Sequence, residues 1–169
     1  MKNIKLKKGN RGFVSNNNNN STIIIFEQEG FAMIQLIAGL QGAGKTRNLI
    51  DLANQEIKTT KGHLVYVDAD SSHILQLSHD IRLIKTDDYP LVTPEEFFGF
   101  VCGVLSQDYD IVTVYIDGLL KNAKTDISKA GYLIEKVSAV SEKTGVDFII
   151  SVCCEPKDLP DSVRQYLKD

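Results

Sequence analysis

The chain has 169 residues, which suffices for one compact domain, and its apolar fraction of 43% and charged fraction of 24% are ordinary for a globular protein. Its net charge of −3 is uneven, because residues 1–32 carry five basic and two acidic side chains (+3) and residues 33–169 therefore carry −6. An acidic domain argues against general binding to nucleic acid or to an anionic membrane surface, since both need a basic face.

Residues 1–32 differ in composition from the rest of the chain. Asn16–Asn20 is a homopolymer without a periodic apolar face, which is typical of a flexible tether. Gln28-Glu29-Gly30 can be encoded by a purine-rich sequence of the ribosome-binding kind, a few bases before the codon of Met33. We therefore expect residues 1–32 to be a flexible N-terminal extension, or a mis-called one if Met33 is the true start of the protein. Residues 33–169 are expected to be the folded domain.

Strands and helices alternate after residue 33. Apolar and β-branched runs predict strands at 33–38, 63–68, 81–84, 110–116 and 146–153. Apolar residues at helical spacing, with capping and stop signals, predict helices at 45–58, 93–105 and 127–144 and a short helix after Pro160. This alternation predicts right-handed βαβ units, and hence an α/β fold: a three-layer α/β/α sandwich whose mainly parallel sheet has four or five strands.

The first predicted strand runs into the stretch AGLQGAGKT, in which Gly39-x-x-x-x-Gly44-Lys45-Thr46 matches the phosphate-loop pattern in full. Glycines let several backbone N–H groups face one phosphate chain, and the following helix turns its positive end towards the same anion. Lys45 is expected to reach the β- and γ-phosphates, and the Thr46 hydroxyl to ligate Mg²⁺. The candidate nucleotide-binding residues are Gly39, Leu40, Gln41, Gly42, Ala43, Gly44, Lys45, Thr46 and Arg47.

The second candidate for the site is an acidic residue, Asp117, which directly follows the apolar stretch VTVYI. A carboxylate at that place can hold Mg²⁺ or one of its waters. We therefore expect Lys45 and Asp117 to be catalytic, and Thr46 and Asp117 to be the metal ligands.

These two motifs resemble Walker A and Walker B of the P-loop NTPase superfamily, over roughly residues 33–155. The resemblance implies the P-loop fold and a nucleotide bound with Mg²⁺. The Asn-Lys-x-Asp motif by which GTPases read guanine is missing, because the last strand runs into Glu155-Pro156-Lys157-Asp158. Asp117-Gly118-Leu119-Leu120 also differs from the Asp-x-x-Gly of GTPases, so we expect ATP.

The chain is also similar to a group of small P-loop ATP-binding proteins of low-GC Gram-positive bacteria. The matching stretches are IAGLQGAGKT, FFGFVCGVLSQDYDI, VYIDGLLK and LPDSVRQYL. Members of that group are labelled twitching-motility ATPases by analogy. The sequence does not support this label, because pilus-retraction ATPases are much longer two-domain chains with further acidic and histidine motifs.

The resemblance says less about the reaction. Many motor-type ATPases carry Glu directly after the Walker B acid, where this chain has Gly118. A catalytic base would then come from Asp68, Asp70 or Glu155, which follow predicted strands, unless these are ordinary solvated acids.

A small-molecule or nucleotide kinase is a rival class, because kinases also bind ATP and Mg²⁺. Kinases stabilise the transferred phosphate with clustered arginines, whereas Arg47, Arg82 and Arg164 are far apart in this sequence. We expect an ATP–Mg²⁺-binding protein with weak ATPase activity. The alternatives are a non-hydrolysing nucleotide-dependent switch or partner-binding module, and a kinase.

The cysteines and histidines give no metal-binding spacing. We expect Cys102, Cys153 and Cys154 to be buried free thiols, and His63, His73 and His79 to be solvated or to make local hydrogen bonds. No apolar run reaches the ~18 residues of a membrane helix, and the run Ile23–Phe26 is too short for a signal peptide. We therefore expect a cytoplasmic protein whose partner is a nucleotide, with any protein partner left open.

Overall fold

The computed structural model describes residues 14–17, 21–24, 32–70 and 72–167. The strands are β1 (Val14–Asn17), β2 (Ser21–Ile24), β3 (Ile34–Gly39), β4 (His63–Asp68), β5 (Arg82–Lys85), β6 (Ile111–Ile116) and β7 (Asp147–Cys153). The α-helices are α1 (Lys45–Glu56), α2 (Pro94–Gln107), α3 (Leu119–Asn122), α4 (Ala130–Thr144) and α5 (Asp161–Arg164). Single 3₁₀ turns lie at Ile74–Gln76, Thr86–Asp88, Ile127–Lys129 and Pro156–Asp158.

Five strands form one parallel sheet in the order β3-β7-β6-β4-β5. The prediction of an α/β fold with a mainly parallel sheet is therefore confirmed. Strand β3 lies at one end of this order, where the Leu36 amide donates to the carbonyl of Tyr166 and Leu36 forms a single parallel bridge with Leu167. All five carboxyl ends meet at one edge of the sheet, which is the edge where ligands bind in open α/β sheets.

The two faces of the sheet have separate apolar cores. Val114 and Ile116 of β6 belong to the larger core, to which helices α2 and α4 contribute. Tyr115, between them, belongs to the smaller core with Leu49 and Ala53 of α1. Successive strand side chains alternate between faces, so helices cover both sides and the molecule has three layers, α/β/α.

Local signals account for the helix ends. Helix α2 has the predicted capping box, in which the Glu96 amide donates to the Thr93 hydroxyl and the Thr93 amide to the Glu96 carboxylate. Helix α4 ends at Gly145, whose φ of 73° is left-handed and favours glycine. The long helix predicted from residue 127 begins instead as a 3₁₀ turn. Helix α3 was not predicted, because its four residues show no period and, unlike α5 after Pro160, no proline marks its start.

At the N-terminal end, β1 and β2 pair antiparallel, from Val14 with Ile24 to Asn17 with Ser21. The sequence did not predict this hairpin. The rest of residues 1–31 lies outside the described residues, so the assignment of residues 1–32 as an extension stays a prediction. In the part of the chain that the structure describes, no helix is long and apolar enough to cross a lipid bilayer.

Candidate functional site

The loop from Gly39 to Thr46, which we call the glycine loop, joins the end of β3 to the start of α1. Gly42 and Gly44 have φ values of 83° and 81°, in the left-handed region that other residues rarely adopt. Space is tight at Gly39, because a Cβ atom there would lie 3.1 Å from the Cβ of Ala43. The three glycines therefore permit one tight backbone path, which the amide of Ala43 closes by donating to the Leu40 carbonyl at 3.2 Å.

Lys45 and the first turn of α1 make the glycine loop electropositive. The Lys45 ammonium turns back over the loop and donates to the carbonyls of Gly39 (2.7 Å) and Leu40 (2.8 Å). Gly44 is the N-cap of α1 and no side chain caps the helix there. The first N–H groups of a helix have no partner within it, so this end attracts an anion.

Asp117 directly follows β6 and is 7% exposed. The Ser151 hydroxyl donates to its Oδ1 at 2.8 Å, and the Tyr66 hydroxyl donates to its Oδ2 at 3.1 Å. The sequence suggested that Asp117 lies directly beside the glycine loop. In the structure, β7 lies between β6 and β3, so one strand separates Asp117 from the loop. Ser151 lies on β7, the strand in between, and also accepts the Gly118 amide at 2.7 Å.

The candidate bases after β4 differ in their surroundings. Asp68 is 7% exposed, and burial, together with repulsion from Asp117, raises the pKa of its carboxyl although the Ala69 amide donates to it. Asp70 forms a salt bridge with Lys121 at 3.1 Å. Hydrogen bonds from the Ser72 hydroxyl and amide, and then from Lys121, lower the pKa of Asp70.

The candidate base after β7, Glu155, is half-buried and forms a salt bridge with Lys157 at 2.5 Å. Asp68 makes no salt bridge with any described residue. Of the three acids that the sequence left open, Asp68 is therefore the one whose carboxylate is both desolvated and without a directly paired cation.

Two buried residues that the sequence did not single out connect the carboxyl ends of β5 and β6. Asn122, at the end of α3, donates to the carbonyls of Asp117 (2.6 Å) and Gly118 (3.0 Å). The Thr86 hydroxyl, after β5, donates to the Asn122 side-chain oxygen at 2.7 Å. Sequence reasoning missed both, because Thr86 lies between Lys85 and Asp87, and Asn122 follows Lys121, so each looks like a solvated polar residue.

An open pocket of about 530 Å³ begins at the first turn of α1 and extends along that helix. It is lined by Gly44, Thr46, Arg47, Ile50, Asp51, Asn54, His73 and Gln76. Asn54 of α1 hydrogen-bonds to the segment on the other side of the pocket. Its side-chain amide donates to the Gln76 carbonyl at 2.7 Å, and its side-chain oxygen accepts the Ser78 amide at 2.7 Å. The candidate metal ligand Thr46 and the candidate nucleotide-binding residue Arg47 thus share a wall of this pocket.

The expectations about the burial of the cysteines and the contacts of His63 need correction. The cysteines are free, but Cys153 is exposed and Cys102 half-buried, so only Cys154 is buried as expected. His63 does more than make a local contact, because its Nδ1 lies 2.7 Å from the Asp108 carboxylate, 45 residues away. That hydrogen bond raises the pKa of His63 and lowers that of Asp108. Together with Asp110 these residues form an exposed group at the amino ends of β4 and β6, at the opposite edge from the glycine loop.

Comparison with models of known protein families gives no match, and comparison with curated proteins gives none either.

Proposed function

We propose that the chain binds ATP with Mg²⁺ at the glycine loop, as P-loop proteins do, and hydrolyses it slowly. The observation that carries this proposal is the glycine loop itself. Its left-handed glycines, the Lys45 ammonium and the uncapped start of α1 converge on one place at the carboxyl edge of a parallel sheet.

The triphosphate would use groups that are already close together. Phosphate oxygens would compete with the Gly39 and Leu40 carbonyls for the Lys45 ammonium and would accept from the N–H groups of the first turn of α1. Mg²⁺ prefers oxygen ligands and keeps several waters, so the Thr46 hydroxyl would ligate it. Asp117 would hold a metal-bound water and not the ion itself. Both of its carboxylate oxygens already accept a hydrogen bond from a hydroxyl group, and strand β7 separates β6 from β3.

The nucleoside would occupy the pocket that extends from the first turn of α1. Its volume of about 530 Å³ falls within the range of small-molecule sites, and its wall offers the polar side chains of Asp51, Asn54 and Gln76. The two hydrogen bonds of Asn54 keep that wall in place. Asn54→Ala should therefore weaken ATP binding more than it weakens binding of inorganic triphosphate.

Asp68 is the base that the site supports best for activating water. Burial favours its neutral form, so at neutral pH it is a stronger proton acceptor than a solvated Asp. It nevertheless lies on β4, three strand positions from β3, or roughly 14 Å across the sheet at the usual strand spacing. A general base must lie within hydrogen-bond reach of its water or one water away, so from this strand Asp68 contributes little and we expect slow turnover.

The same proposal places the protein in the cytoplasm. Its three cysteines are all free, and one is exposed, which fits a reducing compartment.

Calorimetry with ATP and Mg²⁺ tests the binding, and product analysis with γ-labelled ATP tests the reaction. Saturable binding with slow release of labelled phosphate is the expected result. Label on an added acceptor would make the protein a kinase, and binding without any product would make it a nucleotide-dependent switch. Absence of binding to ATP would remove the proposal.

A further inference from the structure

Two tyrosines stack against each other in the core beneath α1. Tyr66 of β4 and Tyr115 of β6 are 0% and 1% exposed, and their rings lie nearly parallel with centroids 6.1 Å apart. Their hydroxyls serve different acids, because Tyr66 donates to Asp117, whereas Tyr115 donates to Glu56 at the end of α1. The two residues are thus matched in burial and packing and differ in the carboxylate that they hold.

The hydroxyl of Tyr66 is a costly group to bury, since phenylalanine would fill the same space without desolvating an oxygen. Burial, and the nearby charge of Asp117, raise the pKa of Tyr66 far above its usual value. The hydroxyl therefore keeps its proton and serves Asp117 as a hydrogen-bond donor.

Donors on both sides of β6 fix the carboxylate of Asp117. Ser151 reaches Oδ1 from β7, and Tyr66 reaches Oδ2 from β4. The carboxylate can turn only by breaking one of these bonds, so its remaining lone pairs keep a fixed direction. Partners that orient a metal-holding side chain in this way raise its effective affinity for the ion.

We propose that Tyr66 is a positioning residue that orients Asp117 towards the metal ion of the bound nucleotide. This inference rests on the proposed function, because it needs a metal ion at that place. Tyr66 would then contribute to the increase in ATP affinity that Mg²⁺ causes. It would not contribute to the affinity that the glycine loop provides without Mg²⁺.

The test compares Tyr66→Phe with Tyr115→Phe, which removes the same atom from the other ring of the same stacked pair. The dissociation constant of ATP is measured by calorimetry with Mg²⁺ and again with a chelator, below the melting temperature of each variant. For Tyr66→Phe we expect the gain in affinity from Mg²⁺ to shrink about tenfold or more, and the value in chelator to stay as in the unmodified protein. Tyr115→Phe should keep the full gain.

A double-mutant cycle then asks whether Tyr66 acts through Asp117. In an Asp117→Asn background, Tyr66→Phe should cause little further loss of the Mg²⁺-dependent gain, whereas an equal loss in both backgrounds would overturn the inference. An unchanged gain in Tyr66→Phe, or equal losses in both tyrosine variants, would overturn it as well. If the unmodified protein binds ATP without any gain from Mg²⁺, the proposed metal site fails and this inference fails with it. A failure of Tyr66→Phe alone leaves the proposed function standing.

Discussion

Replacing Lys45 by alanine removes the ammonium that donates to the carbonyls of the glycine loop and leaves the glycines unchanged. The ammonium now makes two charge-assisted hydrogen bonds, at 2.7 and 2.8 Å, to the carbonyls of Gly39 and Leu40. In the bound state at least one of its hydrogen bonds would pass to a phosphate oxygen. Lys45→Ala therefore separates the charge contribution to binding from the contribution of the backbone.

The size of the effect follows from that exchange. A hydrogen bond to a charged group contributes about 1.5–3 kcal/mol, so the dissociation constant for ATP should rise about 10-fold to 150-fold. The fold should persist, because water can replace the ammonium at the exposed loop carbonyls, and we expect the melting temperature to fall by no more than about 5 °C.

Calorimetry measures the affinity of Lys45→Ala, with Lys143→Ala as the control, since Lys143 is an exposed lysine in the last turn of α4. Equal affinities for ATP in the unmodified protein and in Lys45→Ala, with both folded, would refute the reasoning. The glycine loop would then be a structural turn.

Three further predictions use different assays. Asp117→Asn should lower ATP affinity in Mg²⁺ and leave it nearly unchanged in chelator, because the amide keeps the shape and loses the charge; equal losses would assign Asp117 to folding. Deleting residues 1–32 should change neither the melting temperature nor ATP affinity, and a loss of several degrees would show that the domain boundary is wrong. The hydrogen bond between His63 and Asp108 raises the pKa of His63 and lowers that of Asp108, so the pair stabilises the fold fully between about pH 4 and pH 6.5. This contribution is lost as the pH rises through the higher folded pKa of His63, and also as the pH falls through the lower folded pKa of Asp108. His63→Gln should flatten that part of the curve of melting temperature against pH, and an unaltered curve would contradict it.

The strands and the glycine loop could be predicted because their signals are local. Residues 63–68 and 111–116 are apolar and β-branched, and the structure has strands at those places within one residue of the predicted ends. The Thr93 capping box likewise involves residues three apart in the chain. The hairpin of β1 and β2 was missed because the Asn16–Asn20 homopolymer is typical of a flexible tether. Helix α3 was missed because, unlike the equally short α5, it has no proline before it to signal a helix start.

The contacts around Asp117 could not be predicted, because they depend on the order of the strands in the sheet. Tyr66 is 51 residues from Asp117 in sequence, and Ser151 is 34 residues away. The carboxyl ends of β4, β6 and β7 become neighbours because β6 pairs with β4 on one side and with β7 on the other. The same holds for His63 and Asp108 at the opposite edge, since α2 and β5 separate them along the chain.

The backbone conformation at Gly118 bears on the expected rate of ATP hydrolysis. Its φ of 76° is left-handed, and its amide donates to Ser151, so the chain turns sharply from β6 into α3 at this residue. A glutamate would be strained there, whereas many motor-type ATPases carry their water-polarising Glu directly after the Walker B acid. The backbone that fixes Asp117 through Ser151 and Asn122 is thus the backbone that disfavours a base beside it. If the chain binds ATP as proposed, activation of water then falls to a more distant acid such as Asp68, and we expect slow turnover.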